Sequence, residues 1–262
     1  MPANDISILG LMLCFVLLLI PIAVSYYFKL QLIGPTLESA FRMAIQLALV
    51  GIFLTFVFDL NSAIINIIWV LVMVIVASHN VLKNAELKIR PLIAPLIISF
   101  ALTNMGMLLY FNSFIIDLAN VFDARYFIPI GGMVLGNSLR ANIVGINDFC
   151  DQIQRNENRY LSKLSLGAEK HEALMPYMRK SLRNALKPTI ANMATIGIVF
   201  LPGMMTGQIL GGSSPLTAIE YQIAIMVAIY VTTVINVLMA LIILMYRGFD
   251  EYGMFRKNML KS

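Results

Sequence analysis

The sequence predicts an all-α, polytopic membrane protein with about seven transmembrane helices, its N-terminus outside and its C-terminus cytoplasmic. Three observations carry this. Of 262 residues, 59% are apolar and only 13% charged, whereas about a quarter of an ordinary soluble domain is charged, and the mean hydropathy is +0.82. The apolar residues lie in uncharged runs near the ~20 residues that cross the hydrocarbon of a bilayer. Finally, Lys and Arg cluster on alternate connections between those runs. Two cysteines, Cys14 and Cys150, exclude a disulfide framework and any Cys-based zinc motif. The formal charge of +5 would suggest nucleic acid in a soluble chain. In a membrane chain it bears on orientation, and no nucleic-acid partner is expected.

The candidate spans are, in order, 6–28, 43–58 (extending back past Arg42 and Glu38), 60–82 with His79, 91–116, 126–146 with Arg140, 188–219 and 221–246. Backbone polar groups must pair within such segments, so continuous apolar runs read as helices; a membrane barrel would alternate. The first run has Asp5 rather than a basic start, and no small-residue cleavage site follows, so it reads as a retained helix rather than a signal peptide. Lys29, the loop at 80–90 (Lys83, Lys88, Arg90), the segment 147–187 with eight basic residues, and the tail (Arg247, Arg256, Lys257, Lys261) all fall on one side of a seven-span layout. The opposite connections at 59–61, 112–123 and 211–219 hold no Lys or Arg. The positive-inside rule then sets the orientation, and the expected location is the cell membrane, in contact with lipid.

The chain thus reads as one transmembrane domain over 1–262 with a single large cytoplasmic segment at 147–187. Leu174, Met178, Leu182 and Ala185 recur at helical spacing there, with Arg179, Lys180, Arg183 and Lys187 mostly off that stripe. Gly167 interrupts the pattern, and Pro176 starts or kinks a helix. Two readings stand side by side: a basic amphipathic helix lying on anionic headgroups, and a helix–turn–helix that docks into a cytoplasmic partner. A glycine turn in mid-segment suits the second.

Within this segment, Leu164-Ser165-Leu166-Gly167-Ala168, followed by Lys187-Pro188, resembles the coupling loop of ABC-transporter permeases. In that loop a glycine separates two helices and the first sits in a cleft of the ATPase. Such loops often carry an acid six positions before the glycine; this chain has Leu161 there, and Glu157 four positions earlier. The strings Gly131-Gly132-Met133-Val134-Leu135-Gly136-Asn137 and Leu201-Pro202-Gly203-Met204-Met205-Thr206-Gly207-Gln208-Ile209-Leu210, with Ser214-Pro215-Leu216 and Tyr221-Gln222, extend the resemblance from Glu38 to Arg247. Together they resemble the UPF0014 family of FetB-type iron-export permeases. The resemblance implies a permease subunit that exports a metal ion such as iron, pairs as a homodimer, and binds a separate ABC ATPase through Leu164, Leu166, Gly167 and Ala168.

The chain lacks GxxxxGK[ST], so ATP would be used by the partner and no cofactor is expected here. HExxH, GxSxG and a visible nucleophile–base pair are also missing, so the chain is not read as an enzyme. Inside the spans, Glu38, Arg42 and Gln46 form one polar stripe with a helical ion pair in its favourable order; it reads either as an interfacial anchor or as a wall of the path. Arg140 either snorkels to headgroups or meets the path or a partner. Asn104, Asn137, Asn142, Asn192 and Gln208 are either path-lining groups or interhelical hydrogen bonds. Gly203, Gly207 and Gly211, like Gly132 and Gly136, suit close helix packing, but Pro202 followed by Gly203 also suits a broken, moving element. Met133, Met204 and Met205 are the thioethers that could meet a soft metal, although core packing accounts for most methionines. No metal ligand set is assigned. The alternative functions are a stand-alone secondary transporter, disfavoured because Glu38 and Glu220 sit near span ends, and a non-transport membrane scaffold.

Overall fold

The computed structural model describes residues 6–85, 87, 92–250 and 253–256. Asp5, Lys88, Arg90, Pro91, Lys257 and Lys261 lie outside the described residues. Among the described residues, ten α-helices follow in order: α1 Ile8–Val16, α2 Leu19–Tyr27, α3 Ile33–Leu60, α4 Ala63–Asn84, α5 Ile93–Tyr110, α6 Ala124–Arg155, α7 Glu157–Ser165, α8 Lys170–Thr195, α9 Gly203–Leu210 and α10 Pro215–Arg247. A π-turn, Phe111–Ile115, continues α5.

Among the described residues, five stretches are long and apolar enough to cross a membrane: Ile8–Tyr27, Ile33–Leu60, Ala63–Asn84, Ile93–Ile115 and Pro215–Arg247. The first is two short helices because Pro21 cannot donate to the Leu17 carbonyl and its ring crowds that carbonyl; the break falls at Leu17 and Leu18. The α3 helix does continue back through Arg42 and Glu38.

The remaining two expected intervals differ from that group. The 126–146 interval lies within α6, where four glycines, two asparagines, Ser138 and Arg140 dilute the apolar run. The helix tolerates them because it is central, packed against α4, α8 and α10. The expected 188–219 helix is not continuous. Helix α8 carries on through Pro188 and stops at Thr195, Gly197 takes φ +84°, and α9 begins only after Pro202. Gly212, at φ +97°, then ends α9, with Gly212 N–H donating to the Ile209 carbonyl and Ser213 N–H to the Gln208 carbonyl, a glycine-terminated helix end. Ser214 Oγ accepts from Thr217 N–H and starts α10, with Pro215 in its first turn.

Helices α4, α5, α6, α8 and α10 form the bundle, while α1–α3 bury little of their surface. The turn after α3 is fastened to the start of α6: Asn61 Nδ2 donates to Asp123 Oδ2 at 3.2 Å, and Asn61 Oδ1 accepts from Ala124 N–H at 2.9 Å. Asn66 and Asn112 side chains donate to the Phe122 and Val121 carbonyls, both at 2.7 Å, and close that end. Close helix approach occurs at Gly145 rather than at the expected Gly203–Gly207 repeat. A methyl on Gly145 would lie 3.0 Å from Val237 Cγ1 and 3.2 Å from Ala185 Cβ, so α8 and α10 both pack onto α6 there; Gly203, Gly207 and Gly136 have open space instead. Gly132 is packed closely as expected, its Cβ position 3.1 Å from Met73 Cε.

Candidate functional site

At about 1.5 Å per residue, the 32 residues of α6 and the 33 of α10 run to roughly 50 Å, well beyond the ~30 Å hydrocarbon thickness. Their C-terminal ends, with α7 and most of α8, build an elbow from the segment expected to couple. Helix α7 ends at Ser165, with Leu166 at its cap; Gly167 N–H donates to the Leu164 carbonyl at 3.0 Å and Ala168 N–H to the Lys163 carbonyl at 3.1 Å. This is a Schellman end, and its left-handed position is Gly167, at φ +90°. The turn leaves Leu166 88% exposed at its tip, beside a shallow groove formed by Asn158, Leu161, Ser162 and Ser165.

The apolar stripe of α8 points the other way. Leu174, Met178 and Ala185 are buried in the bundle's own core with residues of α6 and α10, and Leu182 packs against that core. They are therefore unavailable either to headgroups or to a partner; the basic residues Arg179, Lys180, Arg183 and Lys187 stay exposed.

Two features hold the elbow rigid that the sequence did not reveal. Asp148 on α6 accepts from Ser181 Oγ at 2.7 Å and from Asn184 Nδ2 at 3.1 Å, both on α8, and from Gln152 Nε2 on its own helix; Gln152 also donates to Ser181 Oγ at 3.2 Å. The other is the tail. Phe249 bridges to Phe255, and Arg256 N–H donates to the Gly248 carbonyl. Both aromatic rings are buried, Phe249 lies 5.8 Å from Tyr160 of α7, and Tyr160 Oη donates to the Gly253 carbonyl at 2.8 Å. Leu164, expected to face the ATPase, instead turns toward this tail, with Cδ1 only 2.9 Å from where a Gly253 side chain would begin.

Burial, assisted by the Asp250 carboxylate, pushes the Tyr160 phenol from 10.0 up to about 12. A raised value means that the donor's contribution is complete below pH ~10 and is lost as pH rises through about 12. Tyr160→Phe removes one hydrogen bond worth about 1 kcal/mol. Gly253→Val adds a clash with Leu164 and strain at φ +75°, and is expected to release the tail. Limited proteolysis should then cut the tail of Gly253→Val several-fold faster than that of Tyr160→Phe; equal rates would show that the tail is not held through this contact.

The other sequence-derived residues occupy separate places. The Glu38–Arg42 pair, at 2.6 Å, has side chains 69% and 62% exposed, and Gln46 continues the exposed stripe on α3. Asn137 Nδ2 donates to the Met133 carbonyl at 2.8 Å. Pro202 caps α9, Thr206 Oγ1 donates to its carbonyl, Met205 is buried and Gln208 Oε1 is buried without a partner. Met133 and Met204 both pack against the apolar cluster near Phe111 and Phe127. The structure therefore does not gather Glu38, Arg42, Gln46, Asn137 and Gln208 around one point. Among the described residues, no three His, Cys, Asp or Glu side chains form a group that could hold a metal ion.

A family model described as "Uncharacterised protein family (UPF0014)" matches residues 8–249. The chain belongs to the UPF0014 family. Its UPF0014 relatives include "Probable iron export permease protein FetB" of Escherichia coli (strain K12), 32% identical over 249 residues, 95% of this chain and 94% of that protein. "Protein ALUMINUM SENSITIVE 3" of Arabidopsis thaliana is 33% identical over 213 residues, 80% of this chain and 76% of that protein. "UPF0014 membrane protein YjkA" of Bacillus subtilis (strain 168) is 32% identical over 221 residues, covering 83% and 85%. No solved structure matches this UPF0014 chain. With its apolar helices, membership of this membrane-protein family makes it a multi-pass membrane protein.

Proposed function

We propose that the chain is the membrane-spanning subunit of an ABC exporter for a metal ion such as iron, driven by a separate cytoplasmic ATPase that binds the elbow at 157–169. The observation that carries this reading is an exposed apolar tip at Leu166, set by the Gly167 turn that leads into α8, a helix fastened to α6 by Asp148 through Ser181 and Asn184 and packed with α10 onto Gly145 of α6. Movement of the tip is therefore movement of the two longest helices. The iron export named for the Escherichia coli relative supplies the cargo class.

In this reading the chain crosses seven times, N-terminus outside and C-terminus cytoplasmic. The sixth crossing is the broken unit of the end of α8, the turn at 196–202 and α9. Each helical piece beyond Pro188 gives about 12 Å, so the two need the turn between them to complete a crossing. A break at this depth cannot face lipid with its backbone bare, and Ile198 is 90% exposed in the single chain. A second copy covers it, and Pro202, Gly203 and Gln208 then lie beside the path between two protomers. Glu38, Arg42 and Gln46 add a polar surface on α3 for the same partner or for headgroups.

The test is to identify a phosphate-loop ATPase by co-purification, then to measure iron accumulation in cells lacking this chain and that ATPase, followed by ATP-dependent metal movement in vesicles holding both. Accumulation that both chains together reverse supports the reading. Metal movement by the permease alone, driven by an ion gradient without ATP, overturns it in favour of a secondary transporter.

A further inference from the structure

Two hydrogen-bonding surfaces of the single chain lie open at nearly one depth. The first is the break after α8, where Ile198 and Val199 are 90% and 74% exposed. Gly197 N–H donates to the Phe200 carbonyl, and the Ile198 and Val199 N–H groups donate to the Thr195 carbonyl. These donors are used, but among the described residues no hydrogen bond reaches the carbonyls of Ile196, Gly197, Ile198 or Val199. A bare carbonyl is costly in lipid, so this turn lacks both donors and apolar cover. The second surface is Gln46 on α3. Its side chain is exposed and, among the described residues, hydrogen-bonds to nothing. Its carboxamide offers two N–H donors, and Leu47 and Leu49 beside it are 64% and 63% exposed.

The helix contacts set the depths. Asn61 accepts from Ala124 N–H, so the end of α3 is level with the start of α6. Gln46 lies 15 residues back along α3 from Asn61, about 22 Å inward. Gly145, 21 residues along α6, packs on Ala185 of α8, and α8 then runs back outward. Ile196, 11 residues beyond Ala185, is therefore about 15 Å from the same end. Both positions fall within the ~30 Å of hydrocarbon, little more than one helical turn apart.

Other partners fit Gln46 less well. Glu38 and Arg42, one and two turns nearer the headgroups, can reach them, but a glutamine at this depth is too short to snorkel as Arg and Lys do. Nor does closing α3 onto its neighbour serve it. The Phe53 ring lies 4.2 Å from that of Trp69 on α4, and seven residues further along each helix Gln46 would face the apolar Val76. A second copy related by a two-fold axis along the membrane normal keeps every depth, and each surface then meets its counterpart twice. We propose that the turn at 196–202 of one protomer seats on the Gln46 face of the other protomer's α3, with Gln46 Nε2 donating to the open carbonyls of that turn. This rests on the pairing of two copies in the export reading and names the surfaces that pair.

The test uses full-length chains carrying Cys14→Ala, with buried Cys150 retained. Two differently tagged forms, one Gln46→Cys and the other Ile198→Cys, are co-expressed and oxidised in the membrane with copper phenanthroline. A disulfide joining the two tags is expected. Thr55→Cys is the control, since Thr55 is exposed nine residues away on the opposite face of α3, and it should not join to Ile198→Cys. Gln46→Leu should weaken pairing of labelled copies in liposomes, read by energy transfer, about fivefold, while Thr55→Leu leaves it unchanged. No Gln46–Ile198 disulfide, an equal yield from Thr55→Cys, or undiminished pairing of well-inserted Gln46→Leu overturns the seat. Particle mass and ATP-driven metal movement are measured separately. A particle of two chains without this disulfide leaves the export reading standing, and the disulfide without ATP-driven movement leaves the seat standing and removes the export reading.

Discussion

Gly167→Pro is expected to abolish ATP-driven transport while the protein still inserts and accumulates in the membrane. The present turn needs φ +90° at this residue and a donated N–H to the Leu164 carbonyl. Proline supplies neither, because its ring holds φ near about −65° and it has no N–H. The chain must then leave α7 in another direction, carrying Leu166 with it, while the buried bundle below is untouched. Gly167→Ala is the graded control. No neighbour lies within 4 Å of its added methyl, so only the left-handed backbone strain remains, roughly 1 kcal/mol, and a partial loss follows. Leu166→Asp keeps the turn and removes the apolar contact, worth about 2 kcal/mol, which lowers ATPase affinity ~30-fold. Co-purification of the ATPase and metal movement in vesicles measure both steps. Unchanged transport by well-expressed Gly167→Pro would remove the coupling role from this turn.

The reasons this turn was legible in the sequence, and other parts were not, are physical. A glycine between two periodic stretches marks a left-handed position that few other residues tolerate, so Gly167 could be read locally. The stripe Leu174, Met178, Ala185 was legible for the same reason, since its period is that of a helix. Period identifies a face but not what covers it, and the face went to α6 and α10 instead of lipid or a partner. The repeat at Gly203 and Gly207 suggested packing, whereas the tight contact lies at Gly145, a glycine with no repeat to announce it. The break near Pro202 was foreseen from Pro plus Gly, but not that the helix before it ends as early as Thr195. Tyr160 and Gly253 are separated by 93 residues, and no local pattern pairs them. Asp148 belongs to no local sequence pattern, because its α8 partners lie 33 and 36 positions away.

Asp148→Leu is the second change with a large expected effect, and it acts through a different link. The carboxylate collects donors from Ser181, Asn184 and Gln152 at a seam where Ser181 is fully buried and Gln152 nearly so. Leucine has the same branching with bulkier methyls in place of the oxygens and accepts nothing, so these donors lose their shared acceptor. A cost of about 3 kcal/mol follows from leaving buried groups unmet near a former charge, read as a fall of roughly 6–12 °C in the melting midpoint for a chain of this size. Because the three donors form one network, adding Ser181→Ala to Asp148→Leu should cost much less than the sum of the single changes. Coupling should fail as well. The tip at Leu166 keeps its turn and still binds the ATPase, but α8 is no longer pinned to α6 below the elbow. ATP hydrolysis by the complex should then persist while metal movement falls at least ~10-fold. Asp148→Asn separates charge from shape: it retains one acceptor oxygen, places an N–H₂ against existing donors, and should lie between the parent and the leucine variant in both readouts. Strictly additive losses in the double variant, or hydrolysis and transport falling together in Asp148→Leu, would show that this seam does not carry motion from the elbow into the bundle.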